Sequence, residues 1–285
     1  MPPALYIVST PIGNLEDITL RALRILKEVD LIAAEDTRHT AVLLDRYDIR
    51  TPTTSFHEHN EKEKTPALLK RLKAGETVAL VSDSGTPSIS DPGYRLVGAA
   101  RSAGVPVVPV PGPSAVLAAL VSSGFPTDSF LFLGFPPRKS LARRKWAVQL
   151  ARENRTVVFF ESPHRLQQTL EELASYLVDR PIMVGRELTK LHEELVIRPI
   201  NELLKSPTTP RGEYVIVVPP GDHEDANQET PSDQQIAEYL LQLPNLGLST
   251  KRDRIRSVAE HFRLPSRTVY AALERTKKRR RVSGT

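Results

Sequence analysis

The chain of 285 residues is 40% hydrophobic and 26% charged, a balance typical of a globular protein with two domains and a small appendage. No apolar run approaches the roughly 20 residues that cross a bilayer. The absence of cysteine excludes disulfides, thiolate metal sites and cysteine nucleophiles. The N-terminal stretch 1–4 lacks the charged leader and cleavage site of a signal peptide, so we expect a cytoplasmic protein that does not bind membranes.

The net charge of +5 is distributed unevenly along the chain. Residues 251–281 hold twelve Lys and Arg against three Asp and Glu, which leaves the remainder mildly acidic. Charge segregated in this way favours a polyanionic partner such as nucleic acid. A solvated basic tail without a partner is the alternative interpretation.

Short β-rich runs and helical segments alternate through the first part of the chain. Strands are predicted at 4–9, 31–34, 77–82 and 105–110, and helices at about 17–29, 61–73, 94–103 and after 115. This alternation predicts an α/β domain over residues 1–111, with a mostly parallel sheet covered by helices on both faces.

A second α/β domain is predicted over residues 112–220, again with a mostly parallel sheet. Its strands are expected at 130–133, 156–160, 182–184 and 214–218, with a basic helix around 140–153. Residues 221–232 have the composition of a linker.

Three short amphipathic stretches, at 233–243, about 250–262 and about 266–276, resemble a helix-turn-helix module. We expect this module, residues 233–276, to bind RNA, and residues 277–285 to form a basic tail. A dimerisation or capping bundle is the alternative.

Three loops at predicted strand ends have the composition of a small-molecule site. Pro11 and Gly13 follow the first strand, and Ser114 begins a helix whose backbone N–H groups are free. The loop 83–93 contains two Gly, two Pro, three Ser and two Asp. Ligands of parallel sheets bind beyond the carboxyl ends of the strands, so we predict a nucleoside-like ligand, with Asp83 meeting a hydroxyl or a cation. Each loop taken alone is also compatible with an ordinary turn.

The order of the motifs along the chain resembles that of a known family. The motifs are STPIGNL at 9–15, AEDTR at 34–38, SFHEHNE at 55–61, VSDSGTPSISDPG at 81–93, VPGPSA at 110–115, FESPHR at 160–165, GRELTK at 185–190 and GE at 212–213. The ordered set is similar to the bacterial 16S ribosomal RNA cytidine 2′-O-methyltransferases of the tetrapyrrole-methylase superfamily, and it spans nearly the whole chain.

The resemblance implies a two-domain tetrapyrrole-methylase-like α/β fold with S-adenosylmethionine in the cleft between the domains. It also implies a homodimer and methylation of the ribose 2′-hydroxyl of a cytidine in the decoding region, in 16S ribosomal RNA or in the assembled small subunit. The cofactor-binding residues that it implies are Pro11, Gly13, Asp83, Ser84, Gly85, Ile89, Ser114, Ala115, Phe160, Leu188 and Gly212. No spacing indicates a metal site.

Methylation of a hydroxyl requires alignment and removal of a proton from a weak acid. His57 is a candidate base because histidine titrates near neutrality, and Asp36 and Glu58 are alternatives. Arg38 could hold a phosphate or stabilise a developing alkoxide, and Asn60 belongs to the same polar segment as His57. Pairing of Asp36 with Arg38, and a hydrogen-bonded surface role for His57, are the structural alternatives.

RNA contacts are expected from two basic clusters, because cations that neutralise phosphates supply most of the affinity for nucleic acid. The predicted residues are Arg143, Arg144, Lys145, Lys251, Arg252, Arg254 and Arg267, with Arg138 and Lys139 beside the first three.

Three other functions are compatible with parts of the sequence. A methylase of a tetrapyrrole precursor would have no use for the basic C-terminal module. A nucleotide-sensing DNA-binding regulator would leave the polar segments 34–38 and 55–61 without a purpose. A nucleotide hydrolase would need a magnesium-binding carboxylate cluster and a phosphate-loop lysine, and the sequence lacks that lysine.

Overall fold

The computed structural model describes residues 1–177, 179–205, 212–221, 233–242, 255, 257–259, 269–273, 275 and 276. The chain divides into two compact units, residues 1–221 and 222–285. The predicted boundary near residue 111 falls between two sheets of the first unit. None of the helices in the described ranges has the length and hydropathy required to span a membrane.

The first sheet is entirely parallel, as predicted. Its strands are β1 (Leu5–Val8), β2 (Leu31–Ala34), β3 (Thr53–Ser55), β4 (Val78–Val81) and β5 (Val107–Val110), in the order β3-β2-β4-β1-β5. The accompanying helices are α1 (Leu20–Glu28), α2 (Thr37–Arg46), α3 (Glu61–Lys73), α4 (Tyr94–Ser102) and α5 (Ala115–Ser122). Strand β3 was not predicted, because its segment of three residues is short and polar. Helix α2 was also missed, although its run 41–44 is apolar and buries Leu43 and Leu44.

The apolar run of β1 explains why helices cover both faces of this sheet. Tyr6 and Val8 belong to a buried cluster with residues of α1 and α2, whereas Leu5 belongs to a cluster with residues of α3 and α4. Successive side chains of a strand point to opposite faces, so a continuous apolar strand supplies two cores at once.

Strand order reverses at β1, which lies between β4 and β5. The loops that follow these three strands therefore meet at one edge of the sheet, the position where ligands of such sheets bind. Thr10 N donates to Gly85 O (2.9 Å) and Gly85 N donates to Thr10 O (3.1 Å), which joins the first two of these loops.

The second sheet corrects a prediction, because it is mostly antiparallel. Its strands are β6 (Phe130–Phe132), β7 (Thr156–Glu161), β8 (Pro181–Arg186), β9 (Glu194–Pro199) and β10 (Tyr214–Val218), in the order β6-β7-β10-β8-β9. The helices of this part are α6 (Ser140–Ala151), α7 (Pro163–Leu177) and α8 (Ile200–Leu203).

Connection length accounts for the mixed directions of these strands. Helix α6 supplies the long crossover that a parallel pair needs, and β6 and β7 are parallel. The short loop 187–193 joins β8 to β9 as an antiparallel pair. Strand β10 then inserts antiparallel between β7 and β8. The β9 strand was missing from the prediction.

The described part of the C-terminal unit is helical. It contains α9 (Asp233–Gln242) and helical backbone at 255, 257–259, 269–273, 275 and 276. Ile236, Val258 and Val269, one from each of the three predicted amphipathic stretches, are buried together. Arg275 forms two 2.8 Å hydrogen bonds with the Asp233 carboxylate. The predicted tail 277–285 lies outside the described residues.

Candidate active site

A cavity of about 340 Å³ opens at the carboxyl edge of the first sheet. Its lining comes from the loops after β1, β4 and β5 and from β7, β10 and the 187–193 loop of the second sheet. This volume lies within the range of ordinary small-ligand sites. We call it the larger cavity, because its total empty space with the open mouth included, about 1080 Å³, exceeds the 890 Å³ of the neighbouring cavity described below.

Hydrogen bonds between loops fix the polar wall of the larger cavity. Ser9 Oγ lies 3.0 Å from Thr86 Oγ1, and Thr86 Oγ1 donates to Pro113 O (3.2 Å). Gly85 has a φ of +83°, which L side chains rarely adopt, and a Cβ there would lie 3.3 Å from Ile12 Cγ2. The glycine therefore allows the loop after β4 to pack against the loop after β1.

The opposite wall is apolar. Ile12, Phe160, Leu188 and Val215 line it and belong to one buried cluster. Small polar groups facing an apolar wall suit a ligand with a flat apolar ring and several hydroxyls.

Most of the predicted cofactor-binding residues are brought together here. Eight of the eleven line the larger cavity: Ser84, Gly85, Ile89, Ser114, Ala115, Phe160, Leu188 and Gly212. Pro11, Gly13 and Asp83 line a second cavity, also of about 340 Å³, which shares Ile12, Ser84 and Glu213 with the first. The grouping agrees with the predicted site, and the binding role of each residue remains a prediction.

Gly13 has a packing role that its motif did not indicate. A Cβ at this position would lie 2.9 Å from Leu188 O and 2.8 Å from Thr189 Oγ1, and Asn14 N donates to Thr189 Oγ1 (3.0 Å). The STPIGNL and GRELTK motifs are thus docked directly against each other, and only glycine permits the approach.

Asp91 is the functional candidate that the sequence interpretation missed. Its side chain lines the larger cavity, and burial, reinforced by the neighbouring carboxylate of Glu35, raises the pKa of Asp91 to about 7. A hydrogen bond from the Ser82 hydroxyl opposes the shift. The 83–93 loop contains two acidic residues, Asp83 and Asp91, and the sequence interpretation selected only Asp83 as a ligand-binding residue.

Asp83 and Glu35 connect the edge of the sheet to the start of α2. Asp36 N donates to Asp83 Oδ1 (2.9 Å), and Asp83 N donates to Glu35 Oε2 (3.3 Å). Burial raises the pKa of Glu35, and the hydrogen bond from Asp83 N counteracts it. These contacts make Asp83 a bracing residue as well as a lining residue.

Asp36 and Arg38 form the pair that was the structural alternative to their predicted roles. Arg38 Nε and Nη2 donate to the two carboxylate oxygens of Asp36 at 3.0 and 2.6 Å, and Asp36 caps α2 by accepting from Arg38 N. These hydrogen bonds hold the pKa of Asp36 well below its usual range, so Asp36 is a weak base.

The His57 segment lies outside both cavity linings. His57 Nε2 is 3.0 Å from Asn60 Nδ2, and Asn60 Oδ1 accepts from His57 N (2.9 Å). His57 Nδ1 is buried, with no hydrogen-bond partner among the described residues, whereas Glu58 is exposed. None of Asp36, Arg38, His57, Glu58 and Asn60 lines either cavity.

Two buried carboxylates support the walls of the site. Glu61 Oε1 accepts from Gly93 N (3.0 Å) and from Arg95 N (3.2 Å), which anchors the end of the 83–93 loop to α3. Glu161 accepts from Thr169 Oγ1 (2.6 Å) and from Ser162 N (2.7 Å) at the start of α7. Both residues lay within the quoted motifs, but their sequence positions gave no sign of burial.

One of the predicted RNA-binding residues is placed wrongly for that role. Arg143 is only 3% exposed, and its Nη1 donates to Arg138 O (3.2 Å) inside the first unit. The helical turn of α6 directs it inward, whereas Arg144 and Lys145 are exposed. Lys251, Arg252, Arg254 and Arg267 lie outside the described residues.

Comparison with known proteins identifies the family. The model for the tetrapyrrole (corrin/porphyrin) methylases matches residues 4–204. The chain is 45% identical to ribosomal RNA small subunit methyltransferase I of Synechocystis over 93% of this chain and 95% of the relative. It is 50% identical to the Mesorhizobium japonicum protein of the same name over 85% and 82%.

This chain belongs to the tetrapyrrole methylase family, in its ribosomal RNA small subunit methyltransferase I branch. The finding confirms the resemblance drawn from the ordered motifs. A solved tetrapyrrole methylase, uroporphyrin-III C-methyltransferase of Thermus thermophilus in complex with S-adenyl homocysteine, shares the fold. Its TM-score is 0.54 at 21% identity, over 78% of this chain and 99% of that one.

Proposed function

We propose that this chain methylates the ribose 2′-hydroxyl of a cytidine in the decoding region of 16S ribosomal RNA, with S-adenosylmethionine as the methyl donor. The cavity at the carboxyl edge of the first sheet carries the proposal, because the family motifs converge on it. Relatives named ribosomal RNA small subunit methyltransferase I at 45–50% identity support the RNA substrate.

The residues present fit S-adenosylmethionine. The apolar side chains of Ile12, Phe160 and Leu188 suit the faces of an adenine ring, and the hydroxyls of Ser84 and Ser114 suit a ribose and a carboxylate. When bound, the cofactor would supply an electrophilic methyl group on a sulfonium. The carboxylates near the cavity complement that positive charge.

We assign proton removal to Asp91. Its carboxylate lies in the larger cavity, and a pKa of about 7 places its ionised and protonated forms near balance at neutral pH. A base with such a pKa serves general base catalysis best at neutral pH. The Asp91 carboxylate would accept the proton of the 2′-hydroxyl as the oxygen gains the methyl group, and the cofactor would be left as S-adenosylhomocysteine.

Arg38 stays our candidate for a phosphate contact. Its side chain is 90% exposed, and a solvent-exposed ion pair contributes little to stability, so a phosphate could replace Asp36 at little cost. The larger RNA surface would come from the exposed Arg144 and Lys145 and from the C-terminal module.

We further propose a cytoplasmic homodimer that meets its RNA within the assembled small subunit. Leu117 and Val121 on α5 are exposed apolar side chains, which a second copy of the chain would cover. Methylation of a tetrapyrrole precursor has weaker support, because the uroporphyrin-III C-methyltransferase is 21% identical to this chain whereas the RNA methyltransferases are 45–50% identical. None of the relatives named above is a DNA-binding regulator.

Labelled S-adenosylmethionine tests the function directly. The full chain would be incubated with 16S ribosomal RNA and with small subunits that lack the modification, and the product would be digested to nucleosides. We expect label on a 2′-O-methylcytidine. Label on a base, or label only on a macrocycle offered in parallel, would overturn the proposal.

A further inference from the structure

Phe135 projects an aromatic ring at the lip of the larger cavity. It lines that cavity while being 53% exposed. Single exposed apolar side chains are common on protein surfaces, so exposure alone carries no meaning. Phe135 differs from an ordinary exposed side chain because neighbouring residues fix both its ring and the loop that carries it.

Three aromatic rings form a cluster that holds Phe135 in place. Its ring centroid is 5.6 Å from that of Phe160, and the ring of Phe160 meets Phe132 edge-on at 5.0 Å. Phe132 and Phe160 lie on the neighbouring strands β6 and β7. A ring supported in this way is a preorganised surface, which reduces the entropy cost when a ligand stacks on it.

Two arginines fix the backbone of the 134–139 loop that carries Phe135. Arg165 Nη2 donates to Pro136 O (2.7 Å), and its guanidinium pairs with the buried carboxylate of Glu161 (3.5 Å). Arg143 Nη1 donates to Arg138 O. This hydrogen bond gives the buried Arg143 a structural role in place of the predicted RNA contact.

The 134–139 loop ends in two exposed cations. Arg138 and Lys139 follow Phe135 by three and four residues, and neither forms an ion pair with another described residue. An aromatic ring followed by free cations is the pairing that single-stranded nucleic acid requires, because bases stack on the ring and phosphates meet the charges.

The 134–139 loop also faces the loop that bears Asp91. A Cβ on Gly134 would lie 3.6 Å from Ser90 Oγ, so the two loops meet at one side of the larger cavity. A base stacked on Phe135, with its phosphate at Arg138, would leave its sugar at the cavity mouth, on the side of Asp91.

We propose that the 134–139 loop binds the target nucleotide, with Phe135 stacking on the unpaired base and Arg138 and Lys139 holding an adjacent phosphate. This inference rests on the proposed RNA substrate and adds the site where the nucleotide is received. Drawing a ribose into a cavity unstacks its base, which costs free energy, and a fixed aromatic platform offsets the broken stacking.

Full-length Phe135→Ala, Phe135→Trp and Leu141→Ala chains test the platform against wild type on unmodified small subunits. Loss of one base stack should lower kcat/KM for the subunits about 5- to 100-fold in Phe135→Ala, and Phe135→Trp should restore it. Leu141 is 69% exposed and lies outside both cavities, so Leu141→Ala controls for removal of an apolar surface group. Affinity for S-adenosylhomocysteine, measured by calorimetry, should fall much less than kcat/KM in Phe135→Ala, because Phe135 stands at the exposed lip of the cavity that would hold the cofactor, and it should stay unchanged in Leu141→Ala.

Two results would overturn the platform while leaving the proposed function intact: wild-type kcat/KM in Phe135→Ala, or an equal loss of S-adenosylhomocysteine affinity. Absence of ribose methylation by the wild-type chain would instead reject the proposed function and the platform together.

As a second measurement, Arg138→Ala with Lys139→Ala should make the dependence of subunit binding on salt shallower. The log-log slope should change by about one unit for each phosphate that is no longer neutralised. An unchanged slope would remove the two cations from the proposal.

Discussion

Asp91 shows how position and environment combine in a single residue. It is one of several carboxylates at the edge of the first sheet, and its pKa of about 7 comes from burial and from Glu35. Asp36, two residues before Arg38, has its pKa displaced in the opposite direction. The contrast separates a residue that can exchange a proton near neutral pH from one held as a helix cap.

Asp91→Asn should abolish the pH dependence of methyl transfer. In the wild type, the single-turnover rate should fall about tenfold per pH unit on the acid side of the pKa of Asp91, because the base must be ionised, and it should level off on the alkaline side. That pKa is about 7 in the free chain, and a bound sulfonium lowers it. The variant should lose about 10²-fold or more. Asp128→Asn, at an exposed position, is the control, and a retained pH profile in Asp91→Asn would assign the proton to another group.

The same variant should change stability in a pH-dependent way. A raised pKa means that the folded chain holds the proton of Asp91 more tightly than the unfolded chain does. Its contribution to stability is therefore complete below the ordinary carboxyl range and is lost as pH rises through about 7. Chemical denaturation should show Asp91→Asn gaining stability over wild type at about pH 8 relative to about pH 4; no such difference would contradict the raised pKa.

Gly13→Ala tests a purely steric requirement. The added Cβ would clash with Leu188 O, Thr189 Oγ1 and Lys190 Cγ, so we expect a loss of about 1–3 kcal/mol in unfolding free energy. Gly98→Ala is the matched control, because a Cβ there meets nothing within 4 Å and alanine favours a helix by roughly 0.5–1 kcal/mol. Equal stability of the two variants would rule out the tight docking of the STPIGNL and GRELTK motifs.

At the scale of elements, the site depends on how loops are anchored to helices. The 83–93 loop is joined to the loop after β1 through Thr10 and to α3 through Glu61. The 134–139 loop is fixed by arginines from α6 and α7. Loops held in this way can present backbone and small side chains in a fixed arrangement without secondary structure of their own.

Glu61→Gln should loosen the 83–93 loop. The two backbone N–H groups would lose a charged acceptor, which costs about 1–3 kcal/mol of stability. Affinity for S-adenosylhomocysteine should also fall, because the 83–93 loop lines the larger cavity. Glu63→Gln, at an exposed position on the same helix, should change neither the stability nor the affinity for S-adenosylhomocysteine. If Glu61→Gln bound S-adenosylhomocysteine as tightly as the wild type, the Glu61 hydrogen bonds would not be needed to form the binding site.

At the scale of the whole molecule, the two compact units divide the proposed work. All residues that line the two cavities fall within residues 1–221, whereas the most basic stretch falls in the second unit. The acidic carboxylate edge and the basic tail therefore belong to different parts of the chain, as expected if the first unit holds the cofactor and the target nucleotide and the second unit adds contacts to the RNA backbone.

Removal of residues 233–285 should separate these activities. The shortened chain should bind S-adenosylhomocysteine with unchanged affinity, and its affinity for 16S ribosomal RNA should fall and depend less steeply on salt. Filter binding over a series of salt concentrations measures the second effect. Loss of cofactor binding in the shortened chain, with its fold intact by circular dichroism, would contradict the division.

The sequence by itself determined the alternation of strands and helices, the apolar cores and the ordered loops, because periodicity and Gly/Pro chemistry act locally. Membership of the family followed from the same ordered loops. Tertiary structure decided the antiparallel second sheet, since strand direction depends on which distant segments pair. It also decided that Arg143 is buried, that Asp91 faces the cavity and that Phe135 stands at its lip, because burial and the pKa of a carboxyl group depend on neighbours far apart in the chain.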